Sequence, residues 1–186
     1  MIDHFGLLAP LYDRVIPPTD PERLRERLRL PAAGRLLDAG GGTGRASAAL
    51  APFIDHIVVS DFSFQMLQQA RAKRHAASMQ ARVQHLPFAD AIFDRILVVD
   101  ALHHFGDQRA AIGDLLRVLK PGGRLVIEEP DIHRPLVKLV ALFETLALMH
   151  SHFHTAAEIG ALISSFGATA RIEHDRQFTT WLMVDK

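Results

Sequence analysis

The chain has 186 residues, 21 Lys and Arg against 21 Asp and Glu, a formal net charge of zero, and no cysteine. That length suits one domain with a single sizeable core and leaves little room for a separate substrate domain. Neutrality without a block of like charges removes the electrostatic footprint of a nucleic-acid-binding protein, and the lack of thiols excludes disulfides, thiolate metal sites and a cysteine nucleophile.

Residues 1–19 hold Phe5, Leu7, Leu8, Leu11 and the only tyrosine, Tyr12, before Pro17-Pro18 stops regular structure. They are expected to form an ordered N-terminal lid. They carry Asp3 and His4 and no basic-then-apolar run, so a cytoplasmic location is the default expectation. A helix is predicted from Asp20 as cap, with Pro21 at the first helical position, through Arg29. Strand one is placed at Arg35 to Ala39, and a helix from Gly44 to about Pro52. Strand two is His56 to Ser60. The helix after it starts with Ser63 as cap, carries Phe64, Leu67 and Ala70 on one face, and ends near Ala76. A weak third strand is read at Ala81 to Gln84, and a fourth, Asp94 to Val99, is apolar after Arg95, as a strand covered on both faces should be. Helix resumes from Asp107 to Leu119, Lys120-Pro121-Gly122-Gly123 makes a turn, and strand five follows at Arg124 to Ile127. The apolar stretch from Arg134 to Met149 is too short to span a bilayer and holds Lys138 and Glu144. It reads as a buried or ligand-covering helix. Thr155 and Glu158 make a capping box for a helix ending at Phe166-Gly167, and strands at Ala168 to His174 and Gln177 to Val184 close the chain around Asp175-Arg176. This alternation predicts a doubly wound parallel sheet.

The most informative stretch is Leu36-Leu37-Asp38-Ala39-Gly40-Gly41-Gly42-Thr43-Gly44-Arg45, a short buried strand running into a glycine turn and a helix. Such a turn lets the backbone approach a ligand closely, beside free N–H groups of the helix's first turn. A dinucleotide fingerprint from Gly40 and Gly42 would need Gly or Ala at 43 or 45, where this chain has Thr43 and Arg45. Seventeen residues after Gly44, the run Ile57-Val58-Val59-Ser60 ends in Asp61, placed to accept both hydroxyls of a ribose. Loop and acid together point to an adenosyl ligand.

Five segments in this order resemble the class I S-adenosylmethionine-dependent methyltransferases, and within them the small type 11 enzymes of ubiquinone and menaquinone biosynthesis. These are Leu36 to Gly44; Val59-Ser60-Asp61-Phe62-Ser63 with Met66-Leu67; Leu86-Pro87-Phe88 with Phe93-Asp94; Leu102-His103-His104-Phe105; and Arg117 to Leu125. The resemblance implies a Rossmann-like methyltransferase fold, a mostly parallel seven-stranded sheet with an antiparallel C-terminal hairpin. Residues 1–186 would form one methyltransferase-like domain, with 1–19 as lid and 131–154 as an apolar helical insertion over the active site. It also implies S-adenosyl-L-methionine as cofactor, bound by Asp38, Gly40, Gly41, Gly42, Gly44, Asp61, Phe62 and Met66. Val83, Gln84, Asp100 and Ala101 complete that expected set. The family usually places an acidic acceptor for the adenine amino group before the Leu-Pro-Phe segment; here Arg82-Val83 stand there, and arginine only donates, which leaves Gln84 in a shifted register as the candidate acceptor.

Methyl transfer from a sulfonium is an in-line displacement, so the protein aligns the reactants, excludes water and takes a proton where the nucleophile needs it. The end of strand four nominates His103 and His104, with Tyr12 from the lid, as residues facing a small, largely apolar acceptor. The chain is expected to work as a monomer or homodimer, without nucleic acid and without a transmembrane segment. Eleven histidines also raise a second reading, a binding protein of the same fold that transfers no methyl group. In it Glu128 or Glu129, His133 and one or more of His150, His152 and His154, with His103 or His104, would hold a divalent transition metal.

Overall fold

In the computed structural model, which describes residues 20–133, 152–175 and 179–186, strand and helix alternate. The order is α1 (Pro21–Leu28), β1 (Ala32–Ala39), α2 (Arg45–Leu50), β2 (Ile54–Asp61), α3 (Phe64–Ala72), β3 (Ala77–Gln80), β4 (Phe93–Val99), α4 (Gln108–Val118), β5 (Leu119–Pro130), α5 (Ala156–Ser164), β6 (Ala170–His174) and β7 (Thr179–Asp185). The strands form one sheet in the order β3-β2-β1-β4-β5-β7-β6. β1 to β5 pair in parallel, and β7 is antiparallel to both β5 and β6. This is the doubly wound sheet with its C-terminal hairpin. Strand order reverses at the β1–β4 pair, so the carboxyl ends of these strands open a crevice there.

Period-two alternation sends neighbouring residues to opposite cores. Leu37, Val98, Ile127 and Leu182 pack under Ile112 and Leu115 of α4 and Ile159 and Ile163 of α5. Leu36, Leu97, Val126 and Trp181 pack under Leu24 and Leu28 of α1, Leu50 of α2 and Leu67 of α3. Both faces of the central strands are dry, which is why they read as continuous apolar runs.

The caps fall where the sequence placed them. Asp20 accepts from the Glu22 and Arg23 N–H groups, and Ser63 accepts from Met66 N. Thr155 and Glu158 bond reciprocally as a capping box. Three details differ from expectation. α3 stops at Ala72, because Arg74 turns left-handed (φ 58°), and its buried face is Met66, Leu67 and Ala70; Phe64 is exposed, with the Arg71 guanidinium 5.7 Å from its ring centroid. β3 lies at Ala77–Gln80, four residues before the predicted strand, and Val83–His85 is a tight turn instead. That turn is fixed by distant partners: Leu86 N donates to Asp114 at 2.6 Å, and Arg117 donates to the Leu86 and Phe88 carbonyls. The Lys120–Gly123 turn survives as an excursion within β5, since Leu119 pairs with Phe93 and the next registered pair is Arg124 with Arg95. Gly122 holds φ 77° there. β5 also runs on past Ile127 through Glu128 and Glu129, which carries both carboxylates to the mouth of the crevice.

Candidate active site

The glycine loop grows out of β1 and docks on the end of β2, where Gly40 N and Gly41 N both donate to the Ser60 carbonyl, at 2.8 and 3.1 Å. Gly40, Gly42 and Gly44 all take left-handed conformations (φ 70°, 54° and 68°), which explains their alternate spacing. Gly41 is required for another reason. A Cβ on it would lie 2.5 Å from the Asp38 carboxyl carbon, because the loop folds directly over that side chain. Asp38 is 0 % exposed, and neither carboxylate oxygen has a hydrogen-bond partner among the described residues. Burial pushes it up to about 6, with nearby Ser47 opposing the rise.

Asp61 ties the loop to α3. Its Oδ2 accepts from Gly42 N at 2.9 Å and its Oδ1 from Ser63 N at 2.8 Å. Met66 is buried with its methyl end toward Gly42, so it serves core and loop together. Phe62 is 46 % exposed, and the Arg82 guanidinium stands over its ring, 4.3 Å from the centroid. Val83 is buried. The Gln84 amide, turned so that its oxygen faces the loop before α4, accepts from Gly106 N and Asp107 N at 3.2 Å each. Both lone pairs of that carbonyl are thereby committed to the fold.

On the other side of the crevice β4 ends in Asp100, left-handed at φ 53°, whose N–H donates to the Glu128 carbonyl. Ala101 and Phe105 pack against Gly40, joining the β4 end to the glycine loop. Between them, Leu102–His104 form one tight turn. His103 and Glu129, 3 % and 5 % exposed, approach at 2.6 Å through Nδ1 and Oε2. The other oxygen of Glu129 accepts from Ala101 N at 3.1 Å and Leu102 N at 2.7 Å. Phe153 stacks on the His103 ring at 4.3 Å, and the His104 ring lies 4.0 Å away, tilted by 51°. His152 N donates to the His103 carbonyl, and Gln108 donates to the His152 carbonyl, so the chain after residue 151 closes over the turn. Burial, with His103 beside it, lowers His104 to about 3 and keeps that ring neutral at physiological pH.

Residues 37–127 match the family model described as a methyltransferase domain. The chain is 44 % identical over 105 residues to a demethylmenaquinone methyltransferase of Clavibacter sepedonicus, covering 53 % of this chain and 42 % of that protein. It is 31 % identical over 159 residues to a ubiquinone/menaquinone biosynthesis C-methyltransferase of Vibrio cholerae serotype O1, covering 77 % and 58 %. Residues 37–127 are a methyltransferase domain. The chain thus spans about half the length of these curated relatives. The fold agrees across nearly its whole extent with the crystal structure of a SAM-dependent methyltransferase from Aquifex aeolicus, at a TM-score of 0.75 and 17 % identity, covering 97 % of this chain and 95 % of that one.

Against this methyltransferase frame the predicted site residues divide. The glycine loop with Asp38, Asp61, Phe62, Met66 and Ala101 lies along one crevice, and His103 and His104 stand at its β4 side. Tyr12 and His150 lie outside the described residues. Among the described residues no three His, Asp or Glu side chains gather as a metal site. His133 is exposed and donates its N–H to Asp131, and His154 sits 3.5 Å from Glu158 on α5. Glu128 takes the sheet face of Trp181, with which it pairs, away from His103. Burial, then Asp100, pushes its carboxyl up to about 8. Sequence reasoning grouped Glu129 with His103 only as alternative metal ligands and missed the hydrogen bond between them. Alternation along β5 was the available signal, because it puts adjacent Glu128 and Glu129 on opposite faces.

Proposed function

We propose that the chain transfers a methyl group from S-adenosylmethionine to a small, largely apolar organic acceptor. The observation that carries this reading is the unpartnered Asp38 carboxylate, sealed beneath a glycine loop that leaves no side chain above it. A buried anion without a partner is costly, and the ammonium of a bound amino-acid moiety would relieve it. Asp61, a carboxylate at the tip of β2 beside the loop, would accept from the ribose hydroxyls, and exposed Phe62 would offer a ring to the adenine. Gly40, Gly41, Gly42, Gly44, Met66, Val83, Asp100 and Ala101 would complete the binding residues. Gln84, whose carbonyl is committed, and Arg82, which only donates, supply no acceptor for the adenine amine. When bound, the cofactor supplies an electrophilic methyl group on a positively charged sulfur.

The chain's own part is to align the acceptor, exclude water and accept a proton: neutral His104 and Tyr12 of the 1–19 segment would line the acceptor, and His103 would take the proton. The apolar stretch 134–149 suits an apolar acceptor, and the two curated relatives carry names from quinone biosynthesis. One domain, a cytoplasmic setting and a monomer or homodimer complete the proposal. No described helix is long and apolar enough to cross a membrane. Transfer of a tritiated methyl group from S-adenosylmethionine to a panel of naphthols and hydroquinones tests it; label in the organic phase is expected, and none from any acceptor would count against methyl transfer.

A further inference from the structure

Three donors converge on the buried carboxylate of Glu129: Ala101 N, Leu102 N and the Nδ1 side of His103. The two backbone bonds hold the carboxylate where it is, on the end of a central strand. An ionised carboxylate can only accept, so the third bond requires the proton to reside on Nδ1. In the neutral ring the basic lone pair then belongs to Nε2. Phe153 and His104, packed at 4.3 and 4.0 Å, fix the plane of the ring.

We propose that Glu129 is a positioning residue that holds His103 in its Nδ1–H tautomer, so that Nε2 is the base for an acceptor whose methylated atom carries a proton. This rests on the methyl-transfer reading above. As the new bond forms from an electron pair of the acceptor, the carbon–sulfur bonding pair stays with sulfur, and the proton on the acceptor atom passes to Nε2. The imidazolium so formed is paired with Glu129. Acceptors of this class are acidic C–H, O–H or N–H groups; thioethers and tertiary amines, which lose no proton on methylation, have no use for the arrangement.

The test is nitrogen-15 NMR on the full chain with labelled histidine, with the His103 signals assigned by their loss in His103→Gln. The account expects neutral His103 with a protonated Nδ1 and an unprotonated Nε2. In Glu129→Gln the amide keeps an oxygen for Ala101 and Leu102 but turns its NH2 to the ring, which moves the proton to Nε2. Affinity for S-adenosylhomocysteine stays unchanged in that variant. A wild-type His103 protonated on Nε2 when neutral, or one still doubly protonated at about pH 8, overturns the proposal whether or not the variant folds. Because the tautomer is read without ligand, a failure of S-adenosylhomocysteine to bind overturns the cofactor reading alone.

Discussion

Asp38 is the residue on which the site's energetics turn. Its rise from 3.8 to about 6 corresponds to roughly 3 kcal/mol of penalty on the charged form. A carboxyl that holds its proton more tightly folded than unfolded makes the unfolding free energy fall as pH rises through that interval. Asp38→Asn is therefore expected to stabilise the chain by about 2–3 kcal/mol at pH 8 and not at all below about pH 4. It should also weaken S-adenosylhomocysteine binding, a trade of function for stability. Urea unfolding at the two pH values checks the first effect and calorimetry the second. Gly41→Ala presses on the same carboxylate from above and should cost about 1–3 kcal/mol of stability together with cofactor affinity. At this scale the sequence was informative where a short motif carries its own geometry. The glycines at 40, 42 and 44 and the acid at 61 stand where their spacing put them. Glu129 was opaque because its role depends on which face of β5 it takes, and that phase is set by pairing with β4 and β7, not by neighbours in the chain.

At the scale of elements, stability is shared between caps and cores. Thr155→Ala removes the capping box of α5 and should cost about 1 kcal/mol in urea unfolding while leaving S-adenosylhomocysteine affinity unchanged, since the main packing partners of α5 are α4, β6 and β7. Ile112→Ala in α4, fully buried between sheet and α5, should cost about 2–5 kcal/mol. Elements with local signals were legible: caps at Asp20, Ser63 and Thr155, and continuously apolar central strands. β3 was not. The apolar residues that suggested a strand at Ala81 to Gln84 are used by the turn, with Val83 and Leu86 buried and the backbone anchored by Asp114 and Arg117, about thirty residues later. Phe64 was misread as a core residue for a related reason, because the Ser63 cap fixes the helix phase so that Met66, Leu67 and Ala70 face inward.

For the whole molecule, sheet order explains why the site lies where it does. The chain reverses direction of growth between β1 and β4, and the glycine loop, the β2 tip and the His103 turn all gather at the carboxyl ends beside that point. Two raised carboxyls, Asp38 near 6 and Glu128 near 8, stand on one face of this crevice. Both bind protons more tightly folded than unfolded, so stability of the ligand-free chain is expected to decline from about pH 4 to about pH 8, read as a falling unfolding midpoint in urea. The measurement that tests the central claim most directly is a calorimetric titration of S-adenosylhomocysteine into the purified chain and into Asp61→Ala. The account predicts saturable micromolar binding that the substitution weakens by at least about tenfold, the cost of losing charge-assisted hydrogen bonds. No binding to the wild-type chain, or undiminished binding to Asp61→Ala, would contradict it.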